Sequence, residues 1–393
     1  MRSSTGPLLA SLVAVLVARV ASAKSPIVVS LLKTTQSNGG ALDQPITSYY
    51  LNANIGIPPK RFRLLLDVNS REIWVPHYSK MGLVFNRLNY KNGYRGKDSK
   101  TSYKEEDQKY TIESDGCALT GKAYRDIFEF NDLIHSSLVP KFQQRFLAMS
   151  SASNGKFGDR GNVDGVITLN PWPISVTGSD LMSVNLVRSG AIDELKFGLS
   201  LEDDQSLESE AKYGGELTLG GISPTSFHAY SLESLRYHKV VSRYAWELPL
   251  DNVLLGAISV SGTSNLTGVV STSHNEIYGP RKDVEQILIL LGFGDEIGKD
   301  GFKTNKVYEI DCGKASTLPP IHMVIEGSYY TMKASSFIRK KTSGVIFKSE
   351  GCYVAILVNE ASDNQWILGT NFLTNVYSVF DINSRKVGLM PRR

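Results

Sequence analysis

Along most of the chain, apolar and polar positions alternate with a period of two. Residues 50–57, 63–66, 110–112, 216–219, 321–325 and 344–347 are short segments rich in β-branched and aromatic side chains. They are separated by Gly, Pro, Asn and Ser turns, which is the pattern of half-buried strands and predicts a mainly β protein. Helical spacing is confined to 179–189 and 281–291. In the second of these Val284, Ile287, Leu288 and Leu291 share one face, and both read as packing helices rather than as sites. The polar run 89–109 and the acidic run 202–210 read as solvated excursions between strands, the second close to the junction of two halves.

A weak internal repeat supports those halves. The run LLLDVNS (64–70) is followed by Val166-Ile167, and TGVVSTS (267–273) by Ile367-Leu368. The separations nearly match, 100 residues from Asp67 to Ile167 and 97 from Ser271 to Leu368. Two β units of similar size, each with a polar turn after an apolar strand, are expected to face one another across a cleft, and clefts of that kind are preferred ligand sites.

The first 23 residues, MRSSTGPLLASLVAVLVARVASA, combine a short basic start, an apolar run and small residues at Ala21 and Ala23, the pattern of a cleaved secretory signal. A membrane anchor needs about 20 apolar residues, and Arg19 ends this run after about a dozen. No later segment has spanning length, so no membrane span is expected in the mature chain. Composition is ordinary for a globular protein, 41% hydrophobic and 21% charged, which excludes disordered and fibrous classes. Forty-three basic against 39 acidic residues leave a formal charge of +4, and no basic stripe tracks a phosphate backbone, so nucleic acid is not an expected partner. Removing the signal, which carries Arg2 and Arg19 and no acid, brings the charge closer still to neutral.

Three cysteines permit one disulfide and one odd thiol. In an oxidising compartment Cys312 and Cys352 are the expected pair, since the segment between them can form a hairpin excursion. Cys117 is then either a buried thiol or a point of intermolecular pairing. Asn265-Leu266-Thr267 is a glycosylation sequon in a turn-rich region. The six histidines show no metal-ligand spacing, and no nucleophile elbow or phosphate-cradling loop is present. No metal or other cofactor is expected. His274 stands out because it follows the second polar turn.

Four segments carry a family resemblance: YYLNANIGIPPKRFRLLLDVNSREIWVP (49–76), GGELTLGG (214–221), GVVSTSHNEIYGP (268–280) and WILGTNFLTNVYSVFDINSRKVGLMP (366–391). In this order they resemble the pepsin-like aspartic peptidases, and the match covers nearly the whole mature length. The resemblance implies a bilobal pepsin-like acid protease fold, two β-barrel-like lobes around a central cleft. Its boundaries would be a signal at 1–23, a short leader or vestigial pro-segment at 24–44, an N-terminal lobe at 45–205 and a C-terminal lobe at 206–393. It also implies a disulfide in the second lobe.

The family's chemistry needs one carboxylate from each lobe, the pair sharing a proton across a bound water, because like charges so close cannot both ionise. Each comes from an Asp-Thr-Gly-Ser or Asp-Thr-Gly-Thr loop. Here the first loop keeps Asp67 and Ser70, with Val68 and Asn69 in place of Thr and Gly. The second has Ser271 in place of the aspartate, then Thr272, Ser273 and His274. Losing one acid–base partner costs about 10² to 10⁴ in rate. Val68 lacks the hydroxyl that braces the loops in the family. Asn69 tolerates positive φ but fills space that glycine leaves open. On the flap hairpin, Ser114 takes the place of the tyrosine and Asp115 that of the following glycine, with Gly116 after it. Thr168 replaces a glycine in the first lobe, and Gly369 is kept in the second. These departures imply an inactive, secreted homologue binding a peptide or protein through its cleft or surface. The rivals are a divergent peptidase with weak residual activity, and a structural or abundant secreted interaction protein.

Overall fold

The computed structural model describes residues 24–36, 46–78, 92–114, 117–134, 139–153, 163–172, 175, 177–178, 180–203, 212–223, 232–262, 264–304, 306–341 and 351–392. The predicted strand at 344–347, the signal, the flap residues Asp115 and Gly116, and most of the acidic run lie outside them.

The fold is mainly β, and one 14-stranded sheet runs through both halves. Its middle is the strand Ile27–Gln36, from the segment expected as a short leader. That strand pairs antiparallel with Lys212–Leu219 on one side, with a bulge between Leu31 and Leu32, and with Ile46–Ile55 on the other. Ile27, Val28, Val29 and Leu31 are all buried, as expected of a continuous apolar run at the centre of a sheet rather than at its edge. From Lys212–Leu219 the sheet continues through Lys196–Leu201, Val376–Asp381, Lys386–Pro391 and Arg236–Lys239. From Ile46–Ile55 it continues through Lys60–Asp67, Gly165–Thr168, Trp74–Pro76, Lys141–Ala152, Cys117–Phe130 and Tyr103–Ser114.

The repeat has a structural counterpart. Lys60–Asp67 runs parallel to Gly165–Thr168 with Asp67 beside Thr168, and Thr267–Val270 runs parallel to Gln365–Leu368 with Val270 beside Leu368. A short strand then crosses each second strand through one antiparallel pair, Trp74 with Val166 and Tyr278 with Ile367. It goes on to a parallel partner in both cases. The 5-stranded sheet holding Thr267–Val270 and smaller sheets of four and three strands complete the second half.

Several segments differ from the sequence reading. Strand Ile46–Ile55 stops before Ile57, because Gly56 takes φ 87° and Pro58-Pro59 then turns the chain without amide donors for a ladder. The polar run 89–109 is not simply a wet excursion. Its second part belongs to the strand Tyr103–Ser114, an edge strand of mostly polar residues paired with Cys117–Phe130. Tyr94 is buried with its hydroxyl on the Asp126 carboxylate (2.8 Å). Polar residues on an edge strand hide its periodicity.

The helix expected at 179–189 is Met182–Arg188. The one expected at 281–291 runs Arg281–Leu288, widens over Ile289–Phe293 where Gly292 takes φ 104°, and resumes as Gly294–Asp300. Val284, Ile287, Leu288 and Leu291 are buried as its spacing predicts. Cys312 and Cys352 form the disulfide. Cys117 is a free thiol, 2% exposed among Ile112 and Leu119, so intermolecular pairing would require that sulfur to leave the core. Asn265 is exposed in a turn with φ 58°. Among the described residues no helix is long and apolar enough to cross a membrane.

Candidate functional site

Asp67 ends the strand Lys60–Asp67, and the chain turns so that the amides of Asn69 (2.9 Å) and Ser70 (3.0 Å) both donate to its Oδ1. The turn holds one carboxylate at the mouth of the cleft. Across from it, Ser271 follows Thr267–Val270, with its amide donating to the Leu368 carbonyl (3.0 Å). Its hydroxyl shares hydrogen bonds with His274 Nδ1 (2.9 Å) and the Ser273 hydroxyl (3.1 Å). His274 meets the Tyr278 ring edge to face at 5.3 Å.

The two turns are tied together by side chains. Thr272 Oγ1 donates to the Leu66 carbonyl (2.7 Å) and accepts from the Val68 amide (3.1 Å). The reciprocal tie, for which Val68 has no hydroxyl, comes from Asn69. Its Nδ2 donates to the Val270 carbonyl (2.8 Å), and its Oδ1 accepts from the Trp246 amide (3.1 Å). Asn69 thus fills the loop as expected but makes its own brace, and it does so without positive φ. Asn170 Nδ2 donates to the Asn69 carbonyl (2.8 Å) and Trp246 Nε1 to the Leu169 carbonyl (3.0 Å). Thr168, fully buried, donates its hydroxyl to the Ser70 carbonyl. At the matching place in the second half, a side chain on Gly369 would run into the carbonyls of Glu276 and His274.

Between the two turns lies a cavity of about 530 Å³. Asp67, Asn69, Ser70, Ser271, Ser273 and His274 line it, as does Ser114 from the Tyr103–Ser114 hairpin strand. Val68 and Thr272 lie behind, in the brace. Sequence reasoning missed Arg71, Glu72, Glu113 and Gln365 in its lining. Arg71 and Glu72 directly follow the first turn and could have been found from that position; Gln365 carries no local signal. Among the described residues no three His, Cys, Asp or Glu side chains converge as a metal site.

The sequence profile of eukaryotic aspartyl proteases matches residues 48–392. The chain belongs to that family. It is 26% identical to pepsin F of Oryctolagus cuniculus over 357 residues, 88% of this chain and 83% of the relative. Gastricsin of Mus musculus is 26% identical over 348 residues, 88% and 81% of the two chains. Cathepsin E-B of Xenopus laevis is 24% identical over 360 residues, 90% and 83%. At the ends of the two matching strands stand the Asp67 carboxylate and the Ser271 hydroxyl, the latter hydrogen-bonded to His274 Nδ1.

Glu72 and Glu113 are further acids at the cavity, and the Glu72 carboxylate is engaged by Thr177. Its Oε1 accepts from the Thr177 amide (2.7 Å). Burial raises its pKa, opposed by the Thr177 and Ser175 hydrogen bonds and by Arg145. Burial likewise raises Asp164, Glu276 and Asp283. A carboxyl raised in the fold holds its proton longer there than in the unfolded chain. Its contribution to stability is therefore complete below its ordinary value, 4.5 for Glu72, and is lost as pH rises through the folded value. Glu72→Gln is accordingly expected to raise the melting temperature relative to the parent more at pH 7.5 than at pH 4.5. Calorimetry of both proteins across that range checks this, and a variant that gains nothing at pH 7.5 relative to pH 4.5 would contradict it.

Proposed function

We propose that this chain is a secreted, catalytically inactive aspartic-peptidase homologue that binds a peptide or protein segment in its cleft. The observation that carries the reading is the Ser271 hydroxyl, hydrogen-bonded to His274 Nδ1 at 2.9 Å where the reaction needs an acid. A hydroxyl cannot share a proton with Asp67 as a second carboxyl does, so neither the activation of water nor the protonation of the leaving amide has its second partner. The serine at the flap's tyrosine place acts in the same direction. Retention of the braced turns and of a cavity of about 530 Å³ favours binding over a purely structural role. Residual hydrolysis is the rival reading, and the intact amide cradle of Asp67 favours it.

In this reading residues 1–23 are removed as a signal, the lobes divide near residue 205, and Asn265 is an accessible glycan acceptor. The Lys24 amide already donates to Asp193 Oδ2 (2.8 Å), and cleavage before Lys24 would turn that contact into an ion pair. Incubated with denatured proteins from about pH 2 to 7, the purified protein is expected to cleave nothing. Turnover abolished by Asp67→Asn would overturn the proposal. Residual hydrolysis further predicts that Ser271→Asp raises activity steeply. On the proposed reading the new carboxylate pairs with His274 instead, and activity stays undetectable.

A further inference from the structure

Among the described residues lining the cavity there is one arginine, and nothing in the chemistry above employs it. Arg71 follows the Asp67 turn and reaches across to the second half, where its guanidinium carbon lies 5.0 Å from the centre of the Tyr244 ring. The Tyr244 backbone is held, since its amide donates to the Ser242 hydroxyl (3.2 Å) and its carbonyl accepts from Asn170 Nδ2 (3.2 Å), while its ring lies at the surface. This cation–π contact engages the face of the guanidinium carbon and uses none of its N–H groups, which can still donate to an acceptor. Arg71 Nε is shielded from solvent and has no hydrogen-bond partner among the described residues. Glu72, its chain neighbour, is committed to Thr177. An arginine on a cavity with an unmatched donor lacks the partner that would compensate its burial, and a carboxylate entering the cavity could supply it, meeting the guanidinium fork with two parallel hydrogen bonds once Nε is uncovered by a small side-chain turn.

The surroundings narrow the choice. Ile112, Ala245, Val269 and Ile367 also line the cavity and suit apolar side chains or peptide backbone. Asp67 and Glu113 make the rest of it unwelcoming to a second acid. We propose that Arg71, held over Tyr244, selects a peptide carrying an aspartate or glutamate side chain beside apolar residues. This rests on the reading of the cleft as a peptide-binding site.

The test uses the full mature protein and fluorescently labelled octapeptides of apolar and neutral residues, in which one position at a time is Glu, Gln or Lys. Each peptide is made with a free and with an amidated C-terminus, and binding is read by anisotropy. At one register Glu is expected to bind about 10- to 100-fold more tightly than Gln, the factor for hydrogen bonds between charged partners, whether or not the end is amidated. Arg71→Gln should remove the preference, so that the Glu and Gln peptides bind the variant alike. Arg71→Lys should lose most of it, because a point charge lacks the fork, and Arg71→Glu should turn it toward the Lys peptide. Melting curves of the variants exclude misfolding as the cause. Peptides that bind without a Glu preference, or with one that survives Arg71→Gln, overturn the selector and leave the peptide-binding cleft standing. A preference lost on amidation assigns the carboxylate to a chain end and overturns the side-chain proposal. If no peptide binds in any form, both fall.

Discussion

A chain beginning at residue 37 is expected not to fold. Residues 27–36 are a central strand, paired at seven positions with Lys212–Leu219 and at five with Ile46–Ile55. Ile27, Val28, Val29 and Leu31 are buried there. Fully burying an aliphatic side chain is worth about 1.5–3 kcal/mol, so four of them supply about as much as the whole 5–15 kcal/mol that separates a typical folded domain from its unfolded chain. Removal would also bare the facing edges of two apolar strands in the middle of a sheet, which invites edge-to-edge aggregation. The expected result is loss of soluble, cooperatively melting protein by circular dichroism and size-exclusion chromatography. Leu31→Ala alone should cost about 2–5 kcal/mol. A truncated chain that melts like the parent would mean the sheet closes without this strand, as it would if the segment were a removable leader.

That strand marks where the sequence was hard to read. The mainly β character was legible because half-buried strands alternate, and Ile321–Ile325 has the predicted limits. The helix at Arg281 was legible because four apolar residues fall on one face. The two-fold repeat was legible because each active-site turn follows an apolar strand and precedes an apolar pair at nearly equal distance. Residues 27–36 follow neither period. A strand in the middle of a sheet has partners on both edges and apolar side chains on both faces, so SPIVVSLLK looks like any short apolar stretch. Tyr103–Lys109 fails for the opposite reason, being an edge strand rich in polar residues. In the site, every residue supplied by the two turns could be named from sequence. Arg71 could not be given a purpose, since its meaning lies in Tyr244, which is remote in the chain. Asn69 could be seen to replace glycine, but its side-chain partners lie 201 and 177 residues away, and no local pattern reports them.

Asn69→Ala is the most damaging single substitution expected in the cleft. It removes the donor to the Val270 carbonyl and the acceptor for the Trp246 amide, both within a region where Val270 and Trp246 are fully buried. Leaving a buried polar group unmatched costs about 1–3 kcal/mol, so about 2–6 kcal/mol is expected from the two, read as a fall in the urea midpoint. Asn69→Gly should be as damaging even though it restores the family's residue, because Val68 still offers no hydroxyl. Pairing it with Val68→Thr rebuilds the family's brace, and the double variant should recover most of the loss. Such a rescue is a coupling that neither single change shows, and the double-mutant cycle measures it. Thr272 would hold its bonds to Leu66 and Val68 throughout, which keeps the comparison confined to one of the two ties. If Asn69→Ala unfolds within about 0.5 kcal/mol of the parent, the range of an ordinary surface change, Asn69 is not what holds the first turn to the second. A full loss without rescue would mean that the surroundings of residue 69 have adapted to the amide and no longer accept the family's arrangement.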